Sequence, residues 1–195
     1  MLERFAPKQH VSRLTHLDPS ALLAQGLAGL VLDLDNTITA WNSLEVPADI
    51  EQWVAQAKKA GLGVCIVSNS SKARRVRALA ERLEVPALAR PFLKPWGPGY
   101  RWAAEMLGTA PSATAAVGDQ LFTDVYGGNR AGLHTILVHP LGRNEFFGTK
   151  VVRLCESVLR MLLRRRGLLA DLPAEATEAR AGGRTVDRTE EKAAR

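Results

Sequence analysis

The chain has 195 residues, a hydrophobic content of 46%, and 26 Lys and Arg against 20 Asp and Glu, for a formal net charge of +6. That length supports a single domain with its own core, and the hydrophobic content suits a soluble globular protein. No apolar run approaches the roughly 20 residues of a membrane span, and the N-terminal MLERFAPKQHVSR lacks the apolar stretch of a secretory signal. The two cysteines, Cys65 and Cys155, form no CxxC pair, so a reducing cytoplasm with both thiols buried is the expected setting. The positive charge suits an anionic partner: nucleic acid, a phospholipid headgroup or a phosphorylated metabolite.

Asp18-Pro19 predicts a helix start, with Asp as cap and Pro in the first turn, and Gly26 a stop. A first strand is expected from about Leu27 to Asp33. A helix follows, with Ile50, Trp53, Val54 and Ala57 at helical spacing and Gly61 at its end. GVCIVSNSS reads as a second strand. Ser70 or Ser71 is expected to cap the next helix, whose inner face carries Val76, Leu79, Ala80 and Leu83. A short strand near Pro86–Ala89 leads to PFLKPWGPG and a helix through Trp102, Ala103 and Met106 to Gly108. SATAAVGDQ and GLHTILV supply the fourth and fifth strands. Strands and helices in alternation predict an α/β domain around a mainly parallel five-stranded sheet.

Ligands of such sheets sit beyond the carboxyl ends of the strands. Those ends carry Asp33 and Asp35, then Ser68 and Asn69, then Lys94 after the third strand, and finally Gly118, Asp119 and Asp124. One Asp after a strand is ordinarily a cap or turn residue, and one Lys a solvated side chain. Together, though, they form the set that phosphoryl transfer through an aspartate requires. In an extended segment Asp33 and Asp35 face the same side. Clustered carboxylates repel one another, and Mg²⁺ resolves the repulsion while shielding the phosphate. Asp33 is expected to attack phosphorus, and Asp35 to protonate the leaving alcohol and then accept a proton from water. Ser68, Asn69 and nearby backbone N–H groups would hold phosphoryl oxygens, and Lys94 would neutralise the growing charge. Asp33, Asp35 and Asp119 are the expected metal ligands, with Asp124 behind them as a support or an alternate ligand.

DLDNT, VSNSS, KP and GDQLFTDVYGGNRAG resemble, in order, the four motifs of the haloacid dehalogenase superfamily. Asp33, Asp35 and Thr37 match the DxDx[TV] pattern of its phosphatases, with Thr37 supporting the site. With FAP near the N-terminus, the chain is similar to the YqeG-type HAD-IIIA phosphatases over about residues 2–165. The resemblance implies a Rossmann-like, three-layer α/β/α fold, Mg²⁺ dependence and phosphomonoester hydrolysis. Eukaryotic relatives of this type act on phosphatidylglycerophosphate.

The spacing between motifs leaves no room for a cap domain: Asp33 to Ser68 holds a short flap, a helix and a strand, and Ser68 to Lys94 one helix and one short strand. A site without a lid suits a phosphate carried on something large, although an oligomeric partner could also cover it. Residues 150–169 form an amphipathic helix with Val151, Cys155, Val158 and Leu162 on one side, widened by Val152, Leu159 and Leu163, and Arg153, Arg160 and Arg164 opposite. It is expected either to pack on the sheet or to lie on anionic lipid at the inner membrane face. Lys72, Arg74, Arg75 and Arg77 read as a solvated helix face, and without aromatic-basic interleaving nucleic acid is a weak candidate partner. Trp41 is expected to pack the flap, with contact to substrate as the alternative, and Gly127 and Gly128 to allow a turn or close approach. His10, His16, His134 and His139 have no ligand spacing. The domain is thus bounded at 1–169, followed by a charged tail at 170–195 expected to be disordered. The leading expectation is a Mg²⁺-dependent phosphatase, with phosphatidylglycerophosphate as substrate. The alternatives are a phosphatase of soluble sugar or nucleotide phosphates and a nucleic-acid-binding protein that keeps the fold.

Overall fold

The computed structural model describes residues 2–96, 98–142 and 150–170, without the side chains of 150–154. Residues 171–195, where the disordered tail is expected, lie outside the described residues. Six parallel strands form one sheet in the order β1-β6-β5-β2-β3-β4: β1 Gln9–His10, β2 Gly29–Leu32, β3 Gly63–Ser68, β4 Ala87–Ala89, β5 Thr114–Gly118 and β6 His134–Leu137. Helices α1 Pro19–Ala24, α2 Ala48–Ala60, α3 Ala73–Leu83, α4 Gly99–Leu107, α5 Tyr126–Ala131 and α6 Lys150–Arg165 surround it. Every strand pairing is parallel, which fixes one edge of the sheet as the carboxyl edge.

The sixth strand is β1, two residues beside β6. It is too short to show alternation and too polar to read as a strand. Central β2 and β5 are buried along their whole length because helices cover both faces. One core cluster joins Leu30, Leu32 and Ile66 to Ile50, Trp53 and Val54 of α2 and to Leu79 of α3. On the other side Val31, Cys65 and Val67 meet Tyr100 and Ala103 of α4. Only α2 intervenes between β2 and β3, and only α3 between β3 and β4, so no cap domain is inserted.

Local chemistry explains most boundaries. Asp18 accepts from Ser20 N at 2.9 Å and starts α1, while Gly61 at φ 104° ends α2. Helix α3 begins later than expected: Ser70 Oγ accepts from Lys72 N and caps no helix. In α4, Tyr100, Ala103 and Ala104 face inward, while Trp102 and Met106 are exposed. The glycine pair of α5 serves close approach. A Cβ on Gly128 would lie 2.6 Å from Thr135 Cγ2, and one on Gly127 would lie 2.9 Å from Tyr100 Cε2.

Helix α6 corrects the expected phase. Leu159 and Leu163 are buried with Leu121, Val125 and Leu137, whereas Cys155, Val158, Met161 and Leu162 are exposed. The packed face is turned about 100°, one residue step, from the apolar stripe read in the sequence. Glu156 and Arg160 lie on that packed face: Glu156 accepts from Phe122 N at 3.4 Å, and Arg160 donates to the Asp119 carbonyl at 3.0 Å. These polar contacts with the segment after β5 turn the helix.

Candidate active site

At the carboxyl edge the ends of β2, β3 and β5 and the segment after β4 open into a cleft of about 440 Å³. Asp33, Asp35, Ser68, Asn69 and Lys94 line it, with Asn36, Trp41, Lys72, Arg75, Gln120 and Thr123 around them. Trp41 is a wall of this cleft, where its alternative of contact with substrate would put it.

Lys94 is the centre of the polar network. Its ammonium donates to Asp33 Oδ1 at 2.5 Å and to Asp124 Oδ1 at 2.8 Å, and its side chain is only 3% exposed. Asp124 is equally enclosed. Its Oδ2 accepts from Gln120 N at 3.1 Å and its Oδ1 from Tyr100 Oη at 3.1 Å. A π-helical turn over Leu121–Val125 brings Asp124 back beneath β5, with Val125 N donating five residues back to the Gln120 carbonyl. Room for the carboxylate comes from Gly118, where a Cβ would lie 2.2 Å from Asp124 Oδ2.

Carboxylate oxygens of Asp33, Asp119 and Asp124 lie within 4.8 Å of one another. Three carboxyl groups thus face one ammonium. Asp119 Oδ1 is buried and meets no donor, an expensive position for a carboxylate oxygen unless a cation takes it. This all-oxygen donor set fits a hard divalent cation. The electrostatics agree. Burial raises the Asp33 carboxyl to about 7, helped by Asp124 and opposed by Lys94. Burial first, then Asp33 and Asp124, lift Asp119 well above the usual carboxylate range. Burial lifts Glu156 and also Tyr100, and in the tyrosine Asp124 adds to the effect. For Lys94 the two carboxylates outweigh burial and hold the ammonium charged.

Asp35, expected from the sequence among the metal ligands, is placed differently. Arg75 grips it with two bonds, at 2.8 and 3.1 Å, and Asn42 N donates to it at 2.8 Å. Asp124, not Asp35, completes the trio of acids. Arg75 also donates to the Ser43 carbonyl at 2.9 Å, which ties the flap to α3. It is buried, so the expectation of a solvated face fails for this one arginine of the run. The flap itself turns on Asn36 at φ 65° and Asn42 at φ 60°, both of a type that tolerates the left-handed region.

Asn69 is likewise redirected. Expected on phosphate, it spends both ends of its carboxamide on the Lys94 backbone: Nδ2 donates to the carbonyl at 2.8 Å and Oδ1 accepts from the N–H at 2.9 Å. It therefore fixes the loop that delivers the ammonium. Ser68 is buried and accepts from Ser70 N at 3.1 Å. Thr37 is buried just beyond the cleft, and its Oγ1 has no partner.

A Rossmann-like sheet whose carboxyl edge gathers an aspartate pair, a lysine and two further acids defines the class of phosphoryl-transfer hydrolases. A family model for haloacid dehalogenase-like hydrolases matches residues 3–132, and the chain belongs to that family. It is 34% identical to a protein named probable phosphatase YqeG of Bacillus subtilis, over 86% of this chain and 96% of that one. It is also 31% identical to phosphatidylglycerophosphate phosphatase 1 of Arabidopsis thaliana, over 82% of this chain and 48% of that longer protein. In fold it is similar to a crystal structure of an uncharacterized Listeria monocytogenes protein, with TM-score 0.50, 14% identity, and coverage of 69% of this chain and 99% of that one. The protein is a phosphatase. Among the described residues, no helix is long and apolar enough to cross a membrane.

Proposed function

We propose that this phosphatase is Mg²⁺-dependent, works through an aspartyl-phosphate on Asp33, and takes a lipid phosphomonoester of the phosphatidylglycerophosphate class. The observation that carries the catalytic reading is the Lys94 ammonium bonded to Asp33 and Asp124 beside Asp119, at the floor of an open cleft. An Asp33 oxygen attacks phosphorus, the bond from phosphorus to the ester oxygen breaks, and Asp35 gives its proton to the leaving alcohol. Water then attacks phosphorus and Asp35 takes its proton. The bond to Asp33 breaks, and inorganic phosphate leaves. Lys94 balances charge on the phosphoryl oxygens, and Ser68 and the loop after it bound their position. Asp33, Asp119 and Asp124 would hold Mg²⁺, which supplies positive charge that lets an anionic nucleophile approach an anionic phosphate. The lipid assignment is supported by the likeness to the Arabidopsis protein and by a cleft that no cap closes.

Two measurements test the reading. Hydrolysis of an aryl phosphate should stop in chelator, return with Mg²⁺, and be abolished by Asp33→Asn; activity surviving in that variant ends the covalent route. Phosphatidylglycerophosphate dispersed in detergent should outcompete a panel of sugar and nucleotide phosphates in kcat/KM. The opposite order removes the lipid assignment and leaves the chemistry standing.

A further inference from the structure

We propose that the carboxyl edge around the cleft mouth docks on an anionic phospholipid bilayer, with Leu44 and Phe92 entering the interface. This rests on the lipid phosphomonoester reading above. A lipid's phosphate travels no further from the bilayer than its headgroup allows. A cleft that reaches it must therefore present its mouth, and the loops beside that mouth, to the membrane.

Those loops carry the side chains such docking needs. All six strands run parallel, so the segments after β2 and β4 leave the same edge of the sheet. After β2, Trp41 is 39% and Leu44 61% exposed; after β4, Phe92 is 87% and Trp96 70% exposed. Single exposed apolar residues are ordinary, but Trp41, Leu44 and Phe92 on two loops beside one cleft are not, whereas Trp96 rests edge-on against Tyr126 with Arg130 over its ring. Neither loop is loosely held. Arg75 bonds the Ser43 carbonyl, and Lys72 donates to Asn42 Oδ1 at 2.6 Å, which holds the turn beneath Leu44. Phe92 adopts φ 63°, a conformation unfavourable for a bulky residue. In that conformation Leu93 is buried, Lys94 is anchored by Asn69, and the Phe92 ring stands out in solvent. The protein thus bears a backbone cost while exposing its most water-averse group beside the cleft, which is understandable if a bilayer receives the ring.

Charge complementarity selects an anionic surface. Exposed Lys72 and Arg74 open α3, Arg90 follows β4, and Arg101 lies in the first turn of α4, all toward the carboxyl edge. Against them stand Glu45, which is exposed, and Asp49, which is already paired with Arg13. A basic ring around apolar anchors is the pattern of an interfacial binder. Leu44 has no comparable use on a nucleic acid, whose bases stack on aromatic rings and not on an aliphatic side chain. Helix α6, with Val158, Met161 and Leu162 exposed, is the competing surface on this molecule.

The test is co-sedimentation of the full chain, carrying Asp33→Asn so that turnover plays no part, with phosphatidylcholine vesicles containing or lacking phosphatidylglycerol. The protein should bind only the anionic vesicles, more weakly as salt rises. Leu44→Ser with Phe92→Ser should lower partitioning at least about tenfold, since two apolar anchors are lost. Phe92→Gly, which relaxes the backbone, should also weaken binding while the thermal midpoint stays or rises. Met161→Ser with Leu162→Ser on α6 should leave partitioning intact. Absence of vesicle binding, unchanged binding in the rim variants, loss in the α6 variant instead, or preference for RNA over vesicles each overturns the proposal. Hydrolysis of the detergent-dispersed lipid without vesicle binding ends this inference alone. Vesicle binding without that hydrolysis supports the docking face and removes the lipid-substrate reading.

Discussion

Replacing Lys94 by Met removes the one ammonium that faces Asp33, Asp119 and Asp124, and the consequence can be sized. The lysine makes two charge-assisted bonds, to side chains that are 12% and 2% exposed. Removing one partner of such a buried network costs about 3–5 kcal/mol, because the carboxylates lose their counter-charge without regaining water. In chelator near pH 8 the variant should melt roughly 10 °C below wild type, for a chain of this size. The loss should depend on pH. Burial already raises Asp33 to about 7 and lifts Asp119, and without Lys94 both rise further, so near pH 5 Asp33 holds its proton in either protein. The gap narrows by about 1.4 kcal/mol per pH unit only while the variant's Asp33 holds a proton that the wild type's has released, so it should shrink as pH falls toward about 7 and then level off.

Mg²⁺ should also bring the variant back toward wild type. A cation that binds only the folded state stabilises it more the more tightly it binds, as the logarithm of its affinity, and three carboxylates without their lysine attract it more strongly. The melting gap measured in chelator should therefore narrow when Mg²⁺ is added, while aryl phosphate hydrolysis stays lost. Differential scanning calorimetry at the two pH values, with chelator and with Mg²⁺, reads all four cases. A variant as stable as wild type near pH 8 in chelator, or a gap that Mg²⁺ leaves untouched, refutes the idea that Lys94 and a cation share one set of acids.

Three further outcomes are expected. The metal-free wild type should lose stability as pH rises from about 4 to 7, because folded Asp33 keeps its proton up to about 7 while the unfolded group releases it near 3.8; urea unfolding in chelator should show this fall, and a flat profile contradicts it. Gly118→Ala pushes a methyl into Asp124, so Mg²⁺-dependent stabilisation should fall sharply and hydrolysis by about a hundredfold; near-normal kinetics would mean Asp124 has another place to stand. Arg75→Lys keeps the charge but loses the fork on Asp35, and kcat/KM should fall about ten- to a hundredfold; wild-type kinetics in this variant would make the arginine merely a flap tie.

The site was legible wherever a strand end dictates direction, and obscure wherever a side chain answers to a distant backbone. Asp33, Ser68, Lys94 and Asp119 follow from parallel strands ending in polar residues, since such a sheet has only one edge on which to gather them. Asn69 shows the limit: its partner is the backbone of Lys94, 25 residues on, and nothing local marks that contact. Arg75 and Arg160 were hidden differently, in runs of basic residues that read as solvated. Both carry a signal in helical phase. Arg75 lies four residues before Leu79 and eight before Leu83, on the buried stripe of α3, while Arg74 and Arg77 are off it and exposed. On α6, Glu156 and Arg160 likewise keep step with buried Leu159 and Leu163, while Arg164 beyond them is exposed. A charged residue in phase with an apolar stripe must either break the packing or meet a partner inside. The partners are Asp35 for Arg75 and the backbone of Asp119 for Arg160, so both helices reach the acids at the carboxyl edge through residues whose charge alone suggested the solvent.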